Sequence, residues 1–191
     1  MIKMSWKTPF VVVTIAAIAT TCFLLSQSSL LHQNISAEYP EWSLLVDGLV
    51  RHPLNLSLKE IVTMPRRTIS AEIYCLPSPE GSGVLVDSGN WTGASLRFIL
   101  EKAGVLPEVV KVAFYAEDGF TTDLAMNSAF NEDTILAYEK DGEPLHRKIR
   151  LVVPGRWGYK WIYLLNRVEL MDYNFLGSYE SRGFPDGAEI P

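Results

Sequence analysis

Cysteine is nearly absent from this chain. Cys22 and Cys75 are the whole inventory in 191 residues, which excludes a disulfide-stapled scaffold and any zinc site built on several thiolates. Histidine is as scarce: His32, His52 and His146 are scattered, and no Cys or His pair stands at metal-ligand spacing. There is no Cys-x-x-Cys-His haem attachment, no Gly-x-Ser-x-Gly nucleophile elbow and no P-loop. Acid is missing from residues 1 to 33, whose only charges are Lys3 and Lys7. Taking those two from the 17 basic residues leaves 15 against 22 acidic ones, a net charge of −7 for the remainder. A body that acidic lacks the surplus of Lys and Arg that phosphate neutralisation needs, so nucleic acid is excluded as a general partner.

What is present begins with an apolar run. No charged side chain occurs from Thr8 to Leu31, and the densest part spans Phe10 to Leu25. A helix continuing to Leu31 reaches the roughly 20 residues that a bilayer core requires. The lysines ahead of it and the acids behind it place the N-terminus in the cytoplasm and the rest outside. A cleaved signal peptide is the competing reading, although its only small-residue cleavage candidate, Ile35-Ser36-Ala37, begins with a large residue. Residues 1–32 are therefore expected to form a membrane anchor or signal segment, 33–40 a polar linker, and 41–191 one domain. Cys22 then lies within the anchor, and Cys75 has no intramolecular partner in an exported domain. A lone exported thiol needs a reason.

No internal repeat or low-complexity tract divides the domain. Ser43–Val50 reads as a strand, and Ser57-Leu58-Lys59-Glu60 has the form of a capping box opening a short helix limited by Pro65. Thr68–Cys75 alternates Ile69, Ala71 and Ile73 with polar neighbours, a half-buried strand that delivers Cys75 at its end. Pro77, Pro79, Gly81, Gly83 and Gly89 predict a long loop over 76–92, and Thr92 is expected to cap a helix carrying Leu96, Ile99, Leu100 and Ala103 on one face. Further strands are predicted around Val110–Phe114, Ile135–Tyr138, Ile149–Val153 and Lys160–Leu170, with turns at Asp118-Gly119 and Asp141-Gly142. Many strands, few short helices and no regular βαβ alternation predict an α+β fold.

One charge pattern stands out. Between Pro144 and Val168 there are Arg147, Lys148, Arg150, Arg156, Lys160 and Arg167 and no acid. In a −7 domain this marks a local anion site, and Pro154-Gly155-Arg156-Trp157-Gly158 breaks a strand into a loop whose glycines let backbone approach a ligand. Charge alone does not separate that reading from a solvated face paired with acids elsewhere. Cys75 has the same ambiguity: a free cysteine usually packs as a small hydrophobe, and a functional one needs its thiolate stabilised by metal or positive charge.

An ordered set of pieces resolves the choice by resemblance. Leu45-Val46-Asp47-Gly48-Leu49-Val50 with His52-Pro53, Cys75 at a strand end, Trp91-Thr92-Gly93, Asp118-Gly119-Phe120, Leu136-Ala137-Tyr138, Ile149-Arg150-Leu151-Val152-Val153-Pro154-Gly155 and Gly158-Tyr159-Lys160 resemble the molybdopterin-binding domain of the sulfite oxidase family. The likeness covers residues 43 to 184, ending in Gly177 to Phe184. It implies a molybdenum–molybdopterin cofactor, with Cys75 as the thiolate that binds the metal beside the pterin's dithiolene sulfurs. It also implies that Arg150 contacts the cofactor and that Gly158 to Tyr163, including Lys160, wraps the pterin phosphate, with Asp118 nearby. Two departures stand out: His146 and Lys148 occupy the Gly and Pro of the family's Gly-x-Pro-x-Arg, and Tyr163 replaces a second lysine.

The activity implied is oxygen-atom transfer, in either direction, on a small substrate such as sulfite or a sulfoxide. Arg156 and Arg147 are candidates, from charge, for holding an anionic substrate. Electrons would pass to a separate cytochrome or quinone-linked partner. Lys3-Met4-Ser5-Trp6-Lys7 contains no twin arginine, the usual export signal of such enzymes, so an atypical signal, an inverted topology or a domain without cofactor stay open. The alternative function is a non-catalytic binding module that retains the fold. A thiol-redox role for Cys75 ranks last, because no resolving cysteine exists.

Overall fold

A computed structural model describes residues 42–77, 82–145 and 149–191. The anchor or signal segment and the whole of the linker lie outside the described residues, as do His146, Arg147 and Lys148. Among the described residues no helix is long and apolar enough to cross a membrane.

In chain order the elements are β1 (Ser43–Gly48), β2 (Leu54–Ser57), α1 (Leu58–Val62), β3 (Arg66–Cys75), β4 (Val84–Ser95), α2 (Leu96–Ala103), β5 (Lys111–Ala116), β6 (Thr121–Ala125), α3 (Met126–Ala129), β7 (Ile135–Lys140), β8 (Glu143–Pro144), β9 (Arg150–Val152) and β10 (Leu165–Met171). They form two sheets. The first runs β2-β1-β10-β5-β6, with β1 and β10 parallel and the other pairs antiparallel. The second runs β3-β4-β7, and β8 and β9 share the far edge of β7. Leu44, Val46, Phe114 and Val168 from the first sheet join Trp91, Leu136, Tyr138 and Leu151 from the second, with Leu96, Ile99 and Leu100 of α2, in one continuous core. The strand-rich α+β architecture agrees with the expected fold class.

Local signals account for most elements. Glu60 N–H donates to Ser57 Oγ at 3.3 Å while Ser57 N–H donates to Glu60 Oε2 at 2.8 Å, the capping box that starts α1. Gly104 ends α2 in the left-handed region at φ 71°. Three expectations need correction. The predicted loop over 76–92 contains nine residues of β4: Gly89 does not break the strand because Lys140 Cε and the Asp141 carboxylate occupy the space a Cβ would take. Thr92 is a strand residue whose Oγ1 shares a 2.7 Å hydrogen bond with Thr68 Oγ1, and the helix cap is Ser95, which accepts from Phe98 N–H. Lys160 to Leu164 is not strand; Gly158–Lys160 forms a 3-10 turn and Leu164 adopts φ 54°, so β10 starts only at Leu165.

Gly93 shows how tightly β4 and β7 pack at the bulge between Thr92 and Gly93. A Cβ there would stand 2.1 Å from the Leu136 carbonyl oxygen, whereas one at Gly187 would meet nothing within 4 Å. Gly93→Ala is expected to lower stability by about 2 to 3 kcal/mol, the cost of forced overpacking. Gly187→Ala should stay within about 0.5 kcal/mol, and urea unfolding of the two variants measures the contrast.

Candidate functional site

β3 brings Cys75 out of the core. Ile73 is buried at 1% exposure, and the β3–β4 register slips between Ile73 and Tyr74, which re-aims the end of the strand so that the Cys75 thiol is exposed. The next residue, Leu76, turns back into a small apolar cluster with Trp157 and Tyr159. The thiol opens onto a cavity of about 410 Å³ whose lining includes Cys75, Asp118, Arg150, Gly158 and Tyr163. That volume lies in the range of small-molecule and cofactor sites, roughly 300 to 1,000 Å³.

The distant cationic segment reaches the thiol through its glycine turn. A Cβ on Gly158 would stand 3.2 Å from Cys75 Sγ and 3.0 Å from Ile73 Cγ2, so a larger residue would push the end of β3 and the 3-10 turn apart by a few tenths of an ångström. Asp118 sits at the β5–β6 turn and accepts from Phe120 N–H at 3.0 Å. Arg150 opens β9 and is 7% exposed. Its guanidinium carbon lies 3.5 Å from the Tyr163 ring centroid and 5.5 Å from that of Trp91. No carboxylate among the described residues pairs with it, and its Nε has no hydrogen-bond acceptor. Burial draws its pKa below the usual arginine value, the mark of a cation held in a place that does not by itself favour charge.

The remaining cations of the window do not join it. Arg156 points away from the cavity: its Nη1 is 2.6 Å from Glu189 and donates to Gly187 O at 2.7 Å, and Nη2 donates to Ser128 Oγ. Arg167 pairs with Asp47 and Glu169 on the first sheet. Lys160, 1% exposed, turns its ammonium behind the cavity wall to within 2.6 Å of Glu180 Oε1 and 3.4 Å of Asp123 Oδ1, without hydrogen-bond alignment. The structure therefore brings Cys75, Asp118, Arg150, Gly158 and Tyr163 together and takes the Arg156 and Lys160 side chains elsewhere, because acids outside the window compete for them.

Lys160 nonetheless braces the site. Its neighbour Tyr159 stacks on Tyr179 with centroids 5.5 Å apart and planes 2° from parallel, and both rings line the cavity. Behind that wall the Lys160–Glu180 pair ties the same two backbone segments together, while Thr122 Oγ1 donates to Glu180 Oε1. Lys111 adds a parallel link, bonding Asp123 at 2.5 Å and Asp186 at 2.6 Å. The cavity also gathers Trp161 and Ile162, from the stretch expected to wrap the pterin phosphate, and Leu76, Phe120 and Tyr179, which did not stand out as site residues in the sequence. Their aromatic and aliphatic types are equally those of a core, and only the shared wall distinguishes them.

The family model for the oxidoreductase molybdopterin binding domain matches residues 32–179. The chain belongs to this family, of the sulfite oxidase type. It is similar to the uncharacterized oxidoreductase YuiH of Bacillus subtilis, 30% identical over 171 residues that cover 80% of this chain and 84% of that protein. It also resembles the catalytic subunit MsrP of a protein-methionine-sulfoxide reductase from Gluconobacter oxydans, at 28% identity over 69% of this chain and 47% of the relative. Sulfite oxidase of Arabidopsis thaliana is 27% identical over 75% of this chain and 46% of the relative. The chain thus spans about half the length of these last two proteins. The sulfane dehydrogenase SoxCD of Paracoccus pantotrophus shares the fold, with a TM-score of 0.64 at 24% identity over 70% of this chain and 39% of that one.

The cofactor of this molybdopterin-binding family is molybdenum–molybdopterin, and the residues present fit it. A solvent-facing thiol supplies a soft metal donor, an orphaned guanidinium N–H supplies an anion contact, and the bare Gly158 backbone leaves room beside the sulfur.

The ion pairs separate structural from cofactor roles. Lys160→Met leaves buried Glu180 without a cation and Asp123 with Lys111 alone, and is expected to lower stability by about 3 to 5 kcal/mol. Arg156→Met frees a Glu189 that is already largely in water and should cost about 1 kcal/mol. Chemical denaturation of both apo variants checks the ordering.

Proposed function

We propose that this chain is a molybdenum-dependent oxidoreductase moving an oxygen atom to or from a small substrate of the sulfite or sulfoxide kind. The observation that carries it is the meeting of an exposed Cys75 sulfur with an acid-free buried cation, Arg150, in a single cavity. When bound, the cofactor supplies the oxygen exchange and accepts or releases electrons. The chain supplies the rest. Cys75, as thiolate, holds the metal, and its sulfur donation sets the metal's electronic character. Arg150 donates N–H bonds to an anionic group of the cofactor, and Gly158 lets the turn backbone close on the same group. Phe120, Trp161 and Tyr179 wall the site and limit water. Arg156 and Lys160 are already paired with acids, so neither is free to hold an anionic substrate. A methionine sulfoxide or sulfite is the first substrate to try, after the relatives named above.

Electrons would leave through a separate cytochrome or quinone-linked protein. The apolar run Thr8–Leu31 would hold the domain at the outer face of a membrane, with Lys3 and Lys7 inside. A second reading, a binding module that keeps the anion pocket without turnover, draws on the fact that Arg150 alone among the described cations of the window reaches the cavity.

Protein from a host that makes the cofactor is expected to carry about one molybdenum per chain and to turn over sulfite with ferricyanide or a sulfoxide with reduced viologen; Cys75→Ser should lose the turnover. Bound metal without turnover on either substrate class would favour the binding module. Arg150→Met removes a charge-assisted contact worth about 1.5 to 3 kcal/mol, so cofactor retention should fall roughly 10- to 100-fold. Because the lost charge is buried and uncompensated, the apo protein's unfolding midpoint should be unchanged or raised. A large drop in apo stability would show instead that Arg150 is structural.

A further inference from the structure

We propose that Tyr163 is the positioning residue that aims Arg150 at the anion site, a role that a lysine at 163 could not fill. The inference rests on the cofactor reading given above. Arg150 has no carboxylate within ion-pair distance among the described residues and its Nε has no acceptor, so Tyr163 is the group that acts on it most, ahead of the more distant Asp87. What fixes it is a ring: the guanidinium carbon stands 3.5 Å from the Tyr163 centroid, with Trp91 more distant at 5.5 Å. Stacking engages the face of the guanidinium and leaves its N–H edge free, which is the edge an oxyanion needs. Burial already disfavours the charged form of Arg150, and the electron-rich face of the ring offsets that penalty where a carboxylate would instead neutralise the site.

The backbone supports the same reading. Leu164, directly after Tyr163, adopts φ 54°, a conformation uncommon for a branched residue. Its carbonyl accepts from Glu117 N–H at 3.0 Å, which fixes this kink to the end of β5 beside the turn that carries Asp118. The kink separates Tyr163 from β10, so the ring follows the cavity wall rather than the strand's alternation. A lysine at 163 would place a second ammonium against an already desolvated guanidinium and would repel it.

The test uses the full chain as Tyr163→Phe, Tyr163→Ala and Tyr163→Lys. One readout is molybdenum and pterin content after exhaustive dialysis. The other is the Arg150 Nε–H signal in nitrogen-edited NMR of the metal-free protein, which a ring stacked on the guanidinium shifts upfield and protects from exchange. Tyr163→Phe is expected to keep the shifted signal and the wild-type content. Ala and Lys should lose the signal and lower retention at least about tenfold, in line with a desolvated cation–π contact, with the apo unfolding midpoint little changed. Wild-type content in Tyr163→Lys, or an unmoved Arg150 signal in Tyr163→Ala, overturns the proposal. Wild-type protein without molybdenum but with the shifted signal lost on Tyr163→Ala would instead count against the cofactor reading and leave the aiming role standing.

Discussion

A buried guanidinium without a carboxylate is the constraint around which this molecule is arranged. Removing a cation from water without pairing it costs several kcal/mol, and proteins tolerate that mainly where a ligand completes the charge. Here the cation is Arg150, at the first position of β9 and facing the same cavity as the Cys75 sulfur. The fold spends aromatic surface rather than acid to keep it there, with Tyr163 on its face and Trp91 behind, so that its hydrogen-bonding edge stays available.

The acids are instead concentrated one layer back. Lys111 and Lys160 are shared among Asp123, Glu180 and Asp186. Burial pushes the Asp123 carboxyl above its ordinary range, although both lysines pull the other way. Asp186 is opposed by burial too, yet its contact with Lys111 holds it below the usual value. Three carboxylates against two ammonium groups make this cluster acidic in itself, so it cannot lend positive charge to the cavity. Its work is mechanical: it fixes the C-terminal segment carrying Tyr179, Glu180 and Asp186 to β5, β6 and the Gly158 turn. The wall of the cavity and the cation inside it are thus maintained by different parts of the same cationic window.

That division explains what could be read from residues alone. The Ser57 cap, the alternation of Ile69, Ala71 and Ile73, the α2 face and the two Gly-containing turns are local rules, and each produced the element it implies. Gly89 misled because its tolerance depends on Lys140 and Asp141 some fifty residues away. In the site, Cys75 and Gly158 were ambiguous as single residues, a lone thiol and a glycine turn each having commoner uses, and it was the resemblance that marked them and supplied their pairing. The charge window was legible only as a sum. Which of its members would meet Glu180, Glu189 or Asp47 depends on where distant strands lie, and sequence spacing carries no record of that. Tyr163 and Trp91 were visible as residues and invisible as a stack.

The family's chemistry and this chain's geometry therefore meet at one proposed joint: a sulfur at the end of β3 and a cation at the start of β9 that line one cavity and would hold the same metal-bearing anion. X-ray absorption at the molybdenum edge tests that joint directly, on the purified wild-type chain beside Cys75→Ser. The account predicts one more sulfur neighbour around molybdenum in the wild type than in the variant. An identical sulfur shell in the two proteins, or molybdenum with no thiolate neighbour in the wild type, would contradict it.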